Sequence, residues 1–319
     1  MRFEVACAAL LLAVNGVHAA EPAYPTKAVR IIVGFAPAGA ADITARLLGQ
    51  RLSALWGQSV VTDNRPGAGS TIGSAIAAGA TPDGHTLTVV SASYATSAGL
   101  YKKLTFDPVK SFIPITTLAA GHNLLAAHPS VPAKTAKELI AMAKANPGKL
   151  TMGSAGTGSI THLAGELFNH MAGIEITHVP YKGGGPNLSA LIGGEIQISV
   201  ISLPAAIGQV RTGRLKSLGI TSLKRSAAVP DIPTVAESGL LGYEAKNWYG
   251  ILTPAGTPKF IVARLNSQIN DILRTPDTTG TLAKQGLEAE GSTSDAFSVY
   301  LKSEIAKWAK VVKAAGLQE

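Results

Sequence analysis

Three loops rich in glycine and serine carry the groups in this sequence that are best suited to holding an anion. They span 36–40 (APAGA), 64–70 (NRPGAGS) and 153–159 (GSAGTGS), and each lies between a predicted strand and a predicted helix. Free backbone N–H groups and the positive end of a helix dipole both favour a bound anion. A tight turn alone also explains the glycines of any single loop. The three loops together therefore indicate an anion site, although each one by itself is compatible with a simple turn.

Other chemistries have weaker support in the sequence. His162, Glu166 and His170 recur at a four-residue spacing on one face of a predicted helix, but the HExxH pattern of zinc proteases is absent. The glycines of 67–73 have the wrong spacing for a dinucleotide fingerprint, and no glycine run ends in the Gly-Lys-Ser/Thr of a nucleotide-binding loop. No G-x-S-x-G nucleophile motif is present. We therefore predict no metal, no cofactor and no catalytic residue.

Residues 1–20, MRFEVACAALLLAVNGVHAA, are predicted to form a secretory signal peptide. Their apolar run, 6–14, is too short to cross a bilayer as a mature helix. A small-x-small pattern at 17–19 predicts cleavage after Ala19 or Ala20. An N-terminal membrane anchor is the alternative interpretation. The single cysteine, Cys7, lies in this leader, so we expect a mature chain without thiols or disulfides in the periplasm or outside the cell.

Length and composition indicate a folded protein with two domains. The chain has 319 residues, more than one hydrophobic core usually supports. Hydrophobic residues make up 46% and charged residues 15%, which excludes a disordered chain. The net charge of +8 comes from scattered lysines and arginines, and aromatic residues are only 5% of the chain. Because no basic helix is present and aromatic platforms for stacked bases are scarce, no nucleic-acid partner is predicted.

Strand-like runs alternate with amphipathic helical segments along the mature chain, a pattern typical of an α/β fold with parallel sheets. The predicted strands are 29–35, 60–63, 86–90, 123–127, 177–180, 196–201 and 215–219. The predicted helices are 42–56, 70–78, 135–145, 161–171, 186–191, 259–273 and 294–314. We predict that a second α/β unit is inserted into the first, because the chain returns after 243 to strand-like 247–252. We expect a first lobe of 21–121 and 250–319, a second lobe of 122–249, and a cleft between them.

The order of the loops and their flanking segments resembles one family, the substrate-binding proteins of tripartite tricarboxylate transporters (the TctC-like or Bug family). The segments that carry the resemblance cover nearly the whole mature chain in the family's order. They are 24–46 (YPTKAVRIIVGFAPAGAADITAR), 64–73 (NRPGAGSTIG), 81–87 (TPDGHTL), 131–150 (VPAKTAKELIAMAKANPGKL), 153–168 (GSAGTGSITHLAGELF), 179–196 (VPYKGGGPNLSALIGGEI), 229–239 (VPDIPTVAESG) and 248–258 (WYGILTPAGTP).

This resemblance implies a type II periplasmic binding protein fold, in which two α/β lobes close on a small carboxylate. In the family, the loop after the first strand and ordered waters typically hold one carboxylate, and a helix N-terminus of the second lobe meets the other end of the ligand. Serines at two predicted strand ends complete the expected site. The predicted ligand-binding residues are Phe35, Ala38, Gly39, Ala40, Ser91, Ser93, Thr157, Gly158, Ser159, Thr161 and Ser202.

Two positions depart from the family pattern. The first loop usually reads Pro-Gly-Gly, and here it reads Pro37-Ala38-Gly39. We expect Ala38 to keep a negative φ and to narrow the site by one methyl group, which favours an aromatic or hydrophobic acid over citrate. The family often has an aspartate near Ser199, in the fourth-strand region, and the loss of that acid argues against an amino-acid ligand.

The resemblance implies a binding protein that is not an enzyme and that works as a monomer. We expect it to capture a small carboxylate (a dicarboxylate, a tricarboxylate or an aromatic acid) by hinge closure in the periplasm. Its partners would be the membrane permease subunits of a tripartite transporter. The alternative is a ligand sensor that feeds a two-component sensor kinase, and an enzyme is a further, weaker alternative.

Overall fold

The computed structural model describes residues 23–226, 228–314 and 317. The predicted signal peptide and Cys7 lie outside the described residues. Within them the chain forms a mixed α/β fold with two separate sheets. None of the helices in the described ranges combines the length and the apolar character that a bilayer crossing requires.

The first sheet has six strands. They are β1 (Val29–Val33), β2 (Val60–Asn64), β3 (Thr86–Ser91), β4 (Phe112–Gly121), β10 (Asn247–Pro254) and β11 (Leu287–Ala289), arranged in the order β11-β4-β10-β3-β1-β2. The pairs of β1 with β2 and with β3 are parallel, whereas β10 is antiparallel to β3 and β4. The expectation of a parallel sheet is therefore wrong for three of the five strand pairs, because the returning strand β10 runs antiparallel to β3 and β4, and β11 runs antiparallel to β4.

The second sheet has five strands. They are β5 (Asn123–Ala127), β6 (Thr151–Ser154), β7 (Thr177–Pro180), β8 (Ile198–Ser202) and β9 (Lys216–Ile220), in the order β7-β6-β8-β5-β9. Strand β6 is parallel to β7 and β8, and β5 is antiparallel to β8 and β9. This sheet is mixed for the same reason as the first, because β5 is a crossing strand that arrives from the other sheet.

Ten helices cover the two sheets in the described part of the chain. They are α1 (Ala40–Trp56), α2 (Thr71–Ala78), α3 (Ala92–Leu100), α4 (Ala136–Ala145), α5 (Ile160–Ala172), α6 (Gly184–Gly193), α7 (Leu203–Arg211), α8 (Lys259–Arg274), α9 (Pro276–Lys284) and α10 (Ser294–Ala314). We call the first sheet with α1–α3 and α8–α10 the first lobe, and the second sheet with α4–α7 the second lobe. Helices α3, α7 and α9 were not predicted.

The chain passes between the lobes twice. Strand β4 ends at Gly121 and β5 begins at Asn123, so the first crossing consists of His122 alone. On the return, the Ala245 N–H still donates to the Thr221 carbonyl of the second lobe at 2.8 Å, and Asn247 already pairs with Gly121 in the first sheet. The boundary predicted after 249 therefore falls inside β10. Two short crossings that lie side by side form a hinge, about which the two lobes can rotate.

Candidate functional site

Five helices begin directly after strands and direct their N-termini at one cavity between the lobes. Helices α1 and α3 follow β1 and β3 of the first lobe, and α5, α6 and α7 follow β6, β7 and β8 of the second. In open α/β sheets, ligands bind at this carboxyl edge of the strands. The cavity has a volume of about 50 Å³. Its lining residues are Phe35, Gly39, Ala40, Ala41, Ser91, Ser93, Asn123, Ala155, Ile160, Thr161, Gly184, Asn187, Ile201, Ser202, Asn247 and Tyr249.

At two of the five helix N-termini, one from each lobe, the N-cap residue is a glycine, so no side chain can cap the first turn. Helix α1 follows Gly39 and helix α6 follows Gly183, and neither cap residue has a side chain to accept from the first-turn N–H groups. The first N–H groups of a helix have no partner within the helix. These two N-termini therefore present backbone donors and a positive dipole end to the cavity.

The other three N-termini have already used part of their donor capacity. Ser91 caps α3 by accepting from the Ser93 N–H, and Ser159 caps α5 by accepting from the His162 N–H. In α7 the Ser202 side chain makes no cap hydrogen bond, but the Leu203 N–H donates to the His122 carbonyl at 2.8 Å, and the next residue is a proline, which has no N–H. The free donors of the cavity are therefore concentrated at α1 and α6.

The loop that leads into α1 is held by Asp42. Its carboxylate accepts from the Ala38 N–H at 3.0 Å, from Arg46 Nε at 3.0 Å and from Asn64 Nδ2 at 2.9 Å. Burial opposes ionisation of Asp42, but the hydrogen bonds from Arg46, Ala38 and Asn64 outweigh it and hold the pKa of this carboxyl below its usual value. Asp42 thus fixes the loop from behind, and the N-terminus of α1 is left open to the cavity.

Ala38 has a φ of +68°, so the expectation of a negative φ is wrong. The loop keeps a left-handed backbone conformation at the position where the family usually has glycine. For an alanine, this conformation destabilises the fold by about 1–2 kcal/mol. Ala38 is exposed and does not line the cavity, because its N–H is turned toward Asp42. Its methyl group therefore provides no reason to prefer an aromatic acid.

Hydrogen bonds from α3 to the N-terminal region of α5 join the two lobes. The Ile160 N–H of α5 donates to Ser93 Oγ of α3 at 2.9 Å, and Ser97 Oγ donates to the Gly158 carbonyl at 3.1 Å. Thr96 donates to the same carbonyl. These bonds describe a closed arrangement of the lobes.

The lobes also meet at α6. Gly183 has a φ of +126°, and a Cβ atom there would lie 3.1 Å from the Cβ of Ala36 in the loop before α1. Glycine is therefore required both by the backbone conformation and by the close approach of the first lobe. The two uncapped N-termini are brought to the same part of the cavity by this contact.

The crossing strands form the opposite end of the cavity, which we call the hinge end (Asn123, Ser202, Asn247 and Tyr249). Asn123 pairs with Ser202 in the register of β5 and β8. Asn247 Nδ2 donates to the Tyr249 hydroxyl at 2.8 Å, and Asn247 Oδ1 accepts from the Trp248 N–H at 2.9 Å. Burial raises the pKa of Tyr249, so its hydroxyl stays protonated. Asn123 is fully buried, and neither atom of its amide has a hydrogen-bond partner.

Seven of the eleven predicted ligand-binding residues line the cavity: Phe35, Gly39, Ala40, Ser91, Ser93, Thr161 and Ser202. The other four do not, and each has another position. Ala38 contacts Asp42, and Thr157 lies in a second, outer cavity. The Gly158 carbonyl accepts from α3, and Ser159 is fully buried as the cap of α5.

The outer cavity adjoins the inner one and is larger, about 350 Å³. Phe35 and Ala155 line both cavities, so they separate the inner space from the outer one. The remaining residues of the outer cavity are Gly67, Ala68, Gly69, Ser70, Tyr101, Gly156, Thr157, Pro180, Tyr181 and Lys182. The second glycine-rich loop therefore borders this outer space, and the third borders it through Gly156 and Thr157 and reaches the inner cavity through Ala155.

His162 on α5 has structural partners. The His162 ring stacks on His178 with centroids 3.9 Å apart, and its Nδ1 accepts from the Gly158 N–H at 3.2 Å. Burial, with a smaller contribution from His178, lowers the pKa of His162 to about 3, and burial lowers that of His178 to about 4. Both rings are neutral at pH 7. His170 is exposed, and no group of three or more potential metal ligands occurs in the described ranges.

Several lining residues escaped the sequence analysis: Gly184, Asn187, Asn247, Tyr249 and, above all, Asn123. Gly184 and Asn187 lie in the first turn of α6, Asn123 and Asn247 begin the crossing strands β5 and β10, and Tyr249 lies two residues further along β10. None of the last three lies in a segment dense in glycine and serine. Ser199, by contrast, lies behind the cavity, where its hydroxyl donates to the Gly153 carbonyl at 3.0 Å and accepts from Asn187 Nδ2 at 2.8 Å.

No lysine, arginine, histidine, aspartate or glutamate lines the inner cavity among the residues that the structure describes. The donors available to a ligand are backbone N–H groups, hydroxyls and amides. The site can therefore hold an anion through helix N-termini, without a charged side chain as its counter-ion.

Comparison with known proteins identifies the family. The model of the "Tripartite tricarboxylate transporter family receptor" matches residues 44–317. The chain belongs to this family. The resemblance found in the sequence is thereby confirmed, and the members of the family to which this receptor is similar are binding proteins.

Solved structures of similar proteins have the same fold. The receptor is 36% identical to a protein of R. palustris solved with adipate, with a TM-score of 0.89 over 92% of this chain and 99% of that one. It is 32% identical to the periplasmic binding protein BugD, with a TM-score of 0.88 over 92% and 99% of the two chains. It is 31% identical to MatC of Rhodopseudomonas palustris with bound malate, with a TM-score of 0.86 over 91% and 100%. The predicted periplasmic binding protein fold is confirmed.

Proposed function

We propose that this receptor captures a small carboxylate in the periplasm, closes its two lobes around it and delivers it to the membrane subunits of a tripartite transporter. The observation that carries the proposal is the pair of uncapped helix N-termini, α1 and α6, which face one cavity from opposite lobes. A carboxylate between them would accept N–H groups from both lobes at once. Such a ligand favours the closed state because it binds that state more tightly than the open one.

The ligand class follows from the hydrogen-bond donors that line the cavity. With hydroxyls, amides and backbone N–H groups but no cation in its described lining, the cavity suits an anion that accepts hydrogen bonds. Hydrogen bonds to a charged group contribute about 1.5–3 kcal/mol each. Adipate and malate, found with two similar proteins, belong to the same chemical class.

Closure supports a role in delivery rather than in catalysis. The bonds of Ile160 to Ser93 and of Ser97 to Gly158 already link the lobes, so a bridging ligand adds to an existing interface. The closed surface is then the form that a membrane partner recognises. We propose that the receptor acts as a monomer, since one chain supplies both lobes and the whole cavity.

For the test, the receptor is first unfolded and refolded to remove any bound ligand. Its Tm is then measured in a thermal-shift panel with short mono-, di- and tricarboxylates, aromatic acids and neutral sugars. A carboxylate at a hundredfold its Kd stabilises the native state by about 2.7 kcal/mol. Native mass spectrometry of the protein before refolding identifies any ligand that is retained. Stabilisation by neutral sugars without stabilisation by any carboxylate contradicts the proposal. Uptake of the identified acid by cells with and without the receptor then tests delivery.

A further inference from the structure

Asn123 differs from the other asparagines that line the inner cavity. Asn187 Nδ2 donates to Ser199 Oγ at 2.8 Å, and both amide atoms of Asn247 are bonded to its neighbours in β10. Asn123 is 0% exposed, and both its Nδ2 and its Oδ1 lack a partner. A buried amide without partners destabilises the folded protein, so such a group points to a partner supplied by the ligand.

The amide of Asn123 requires a ligand group of a particular kind. It presents one donor group, the NH₂, and one acceptor atom, the carbonyl oxygen, whichever way round the nitrogen and the oxygen are assigned. A carboxylate only accepts hydrogen bonds, so it would satisfy Nδ2 and leave Oδ1 facing a negative oxygen. A carboxamide or a hydroxyl both donates and accepts, and it therefore satisfies the two atoms together.

The rest of the hinge end favours a neutral group for the same reason. Tyr249 keeps its proton, because burial raises its pKa, and its oxygen already accepts from Asn247. Helix α7, which begins directly after Ser202 of the hinge end, donates its first N–H to the His122 carbonyl and has a proline next, so it has little capacity to bind a charged oxygen. The described lining also contains no cation, so the hinge end has few groups that could compensate the negative charge of a carboxylate.

The cavity therefore has two chemically different ends. At one end, the N-termini of α1 and α6 suit a carboxylate. At the hinge end, Asn123 suits a neutral group that donates and accepts. We propose that Asn123 determines specificity by selecting a carboxamide or hydroxyl group at the end of the ligand opposite the carboxylate. This inference rests on the proposed function, because it assumes that the carboxylate lies between α1 and α6.

Pairs of acids that differ only at the far end provide the test. Succinate and succinamate have the same length and nearly the same shape, and malonate with malonamate and glutarate with glutaramate extend the series. Calorimetry with ligand-free receptor should show that, in the best-fitting pair, the monoamide binds at least tenfold more tightly than the diacid. Tighter or equal binding of the diacid in every pair that binds overturns this inference and leaves the proposed function intact. Failure of all six acids to bind, together with every other carboxylate, contradicts the proposed function and this inference with it.

Variants of Asn123 supply a second, independent readout. Asn123→Leu replaces the unpaired amide with an apolar side chain of similar volume, so the ligand-free protein should gain about 2–4 °C in Tm. The same variant should bind the monoamide at least thirtyfold more weakly while affinity for the diacid changes less than threefold. Asn123→Asp should weaken both. The matched control is Gln50→Glu, the same amide-to-acid change on the exposed side of α1, which should leave all affinities unchanged. A lower Tm for ligand-free Asn123→Leu, with equal losses for amide and diacid, assigns Asn123 a purely structural role and overturns the inference.

Discussion

A negative charge placed at the N-terminus of α6 should abolish carboxylate binding without unfolding the receptor. Gly184 is the first residue of α6 and lines the inner cavity. Its φ lies outside the left-handed range, and a Cβ atom built there meets no atom within 4 Å. Gly184→Asp therefore introduces a carboxylate beside the proposed anion site without steric conflict. At a helix N-terminus that charge stabilises the fold by about 0.3–1 kcal/mol.

The expected loss of affinity follows from the electrostatic repulsion between two carboxylates in one small cavity. At a separation of about 4–8 Å and an effective dielectric constant of about 20, two unit charges repel by about 2–4 kcal/mol. A tenfold change in affinity corresponds to about 1.4 kcal/mol, so the Kd should rise by roughly 30- to 1,000-fold. Because Gly184 is only partly buried, the lower part of that range is expected.

The assay compares Gly184→Asp with Gly184→Asn, which has the same size and no charge. Calorimetry with the best carboxylate from the thermal-shift panel should give a large loss for the aspartate variant and less than about a tenfold loss for the asparagine variant. The Tm of the ligand-free aspartate variant should equal or exceed that of the wild type. Equal losses in the two variants would indicate a steric effect, and an unchanged Kd in both would remove the carboxylate from α6. Either result refutes the reasoning.

Three further predictions concern other parts of the chain. Ala38→Gly should raise the free energy of unfolding by about 0.5–1 kcal/mol in urea titrations, because it relieves the left-handed strain at φ +68°, and a loss of stability would contradict this. Acid should destabilise the fold, because the pKa values of His162 and His178 are lowered to about 3 and about 4 while the unfolded rings take up protons near 6.5. Stability present above pH 6.5 should fall by about 2–4 kcal/mol by pH 5, and His178→Gln should flatten this dependence. N-terminal sequencing of the periplasmic protein should begin at Ala20 or Glu21, and an intact Met1 there would exclude cleavage.

Most of the regular structure could be predicted from local patterns in the sequence. The apolar run VRIIV forms β1 (Val29–Val33), and the periodic segment that forms α1 (Ala40–Trp56) differs from its prediction by two residues at its start. Helix α3 (Ala92–Leu100) was missed because almost all its residues are small and buried, so no apolar stripe alternates with a polar face. Strand β4 (Phe112–Gly121) contains a proline and threonines, and its pairing with β10 could not be inferred locally.

The candidate site was predicted in outline, and the structure changed its details. The loop after β1 and the serines at strand ends were found because glycine and serine are dense there. Ser159 looked like a ligand contact, but in the structure its hydroxyl caps α5. Asn123 was not noticed, because an asparagine that precedes LLAA has no distinctive pattern. Which polar side chains remain available to a ligand depends on the partners that the other side chains find.

The sequence by itself determined most of the strands and helices, the positions of the glycine-rich loops and the family, because these depend on residue types within short stretches. Only the tertiary structure decided which helix N-termini remain uncapped, that Ala38 adopts a positive φ and that Asn123 has no partner. The physical reason is that hydrogen-bond satisfaction is a long-range property. Ser93 and Ile160 are 67 residues apart, and Leu203 donates to His122 from 81 positions away, yet these bonds decide which donors still face the cavity.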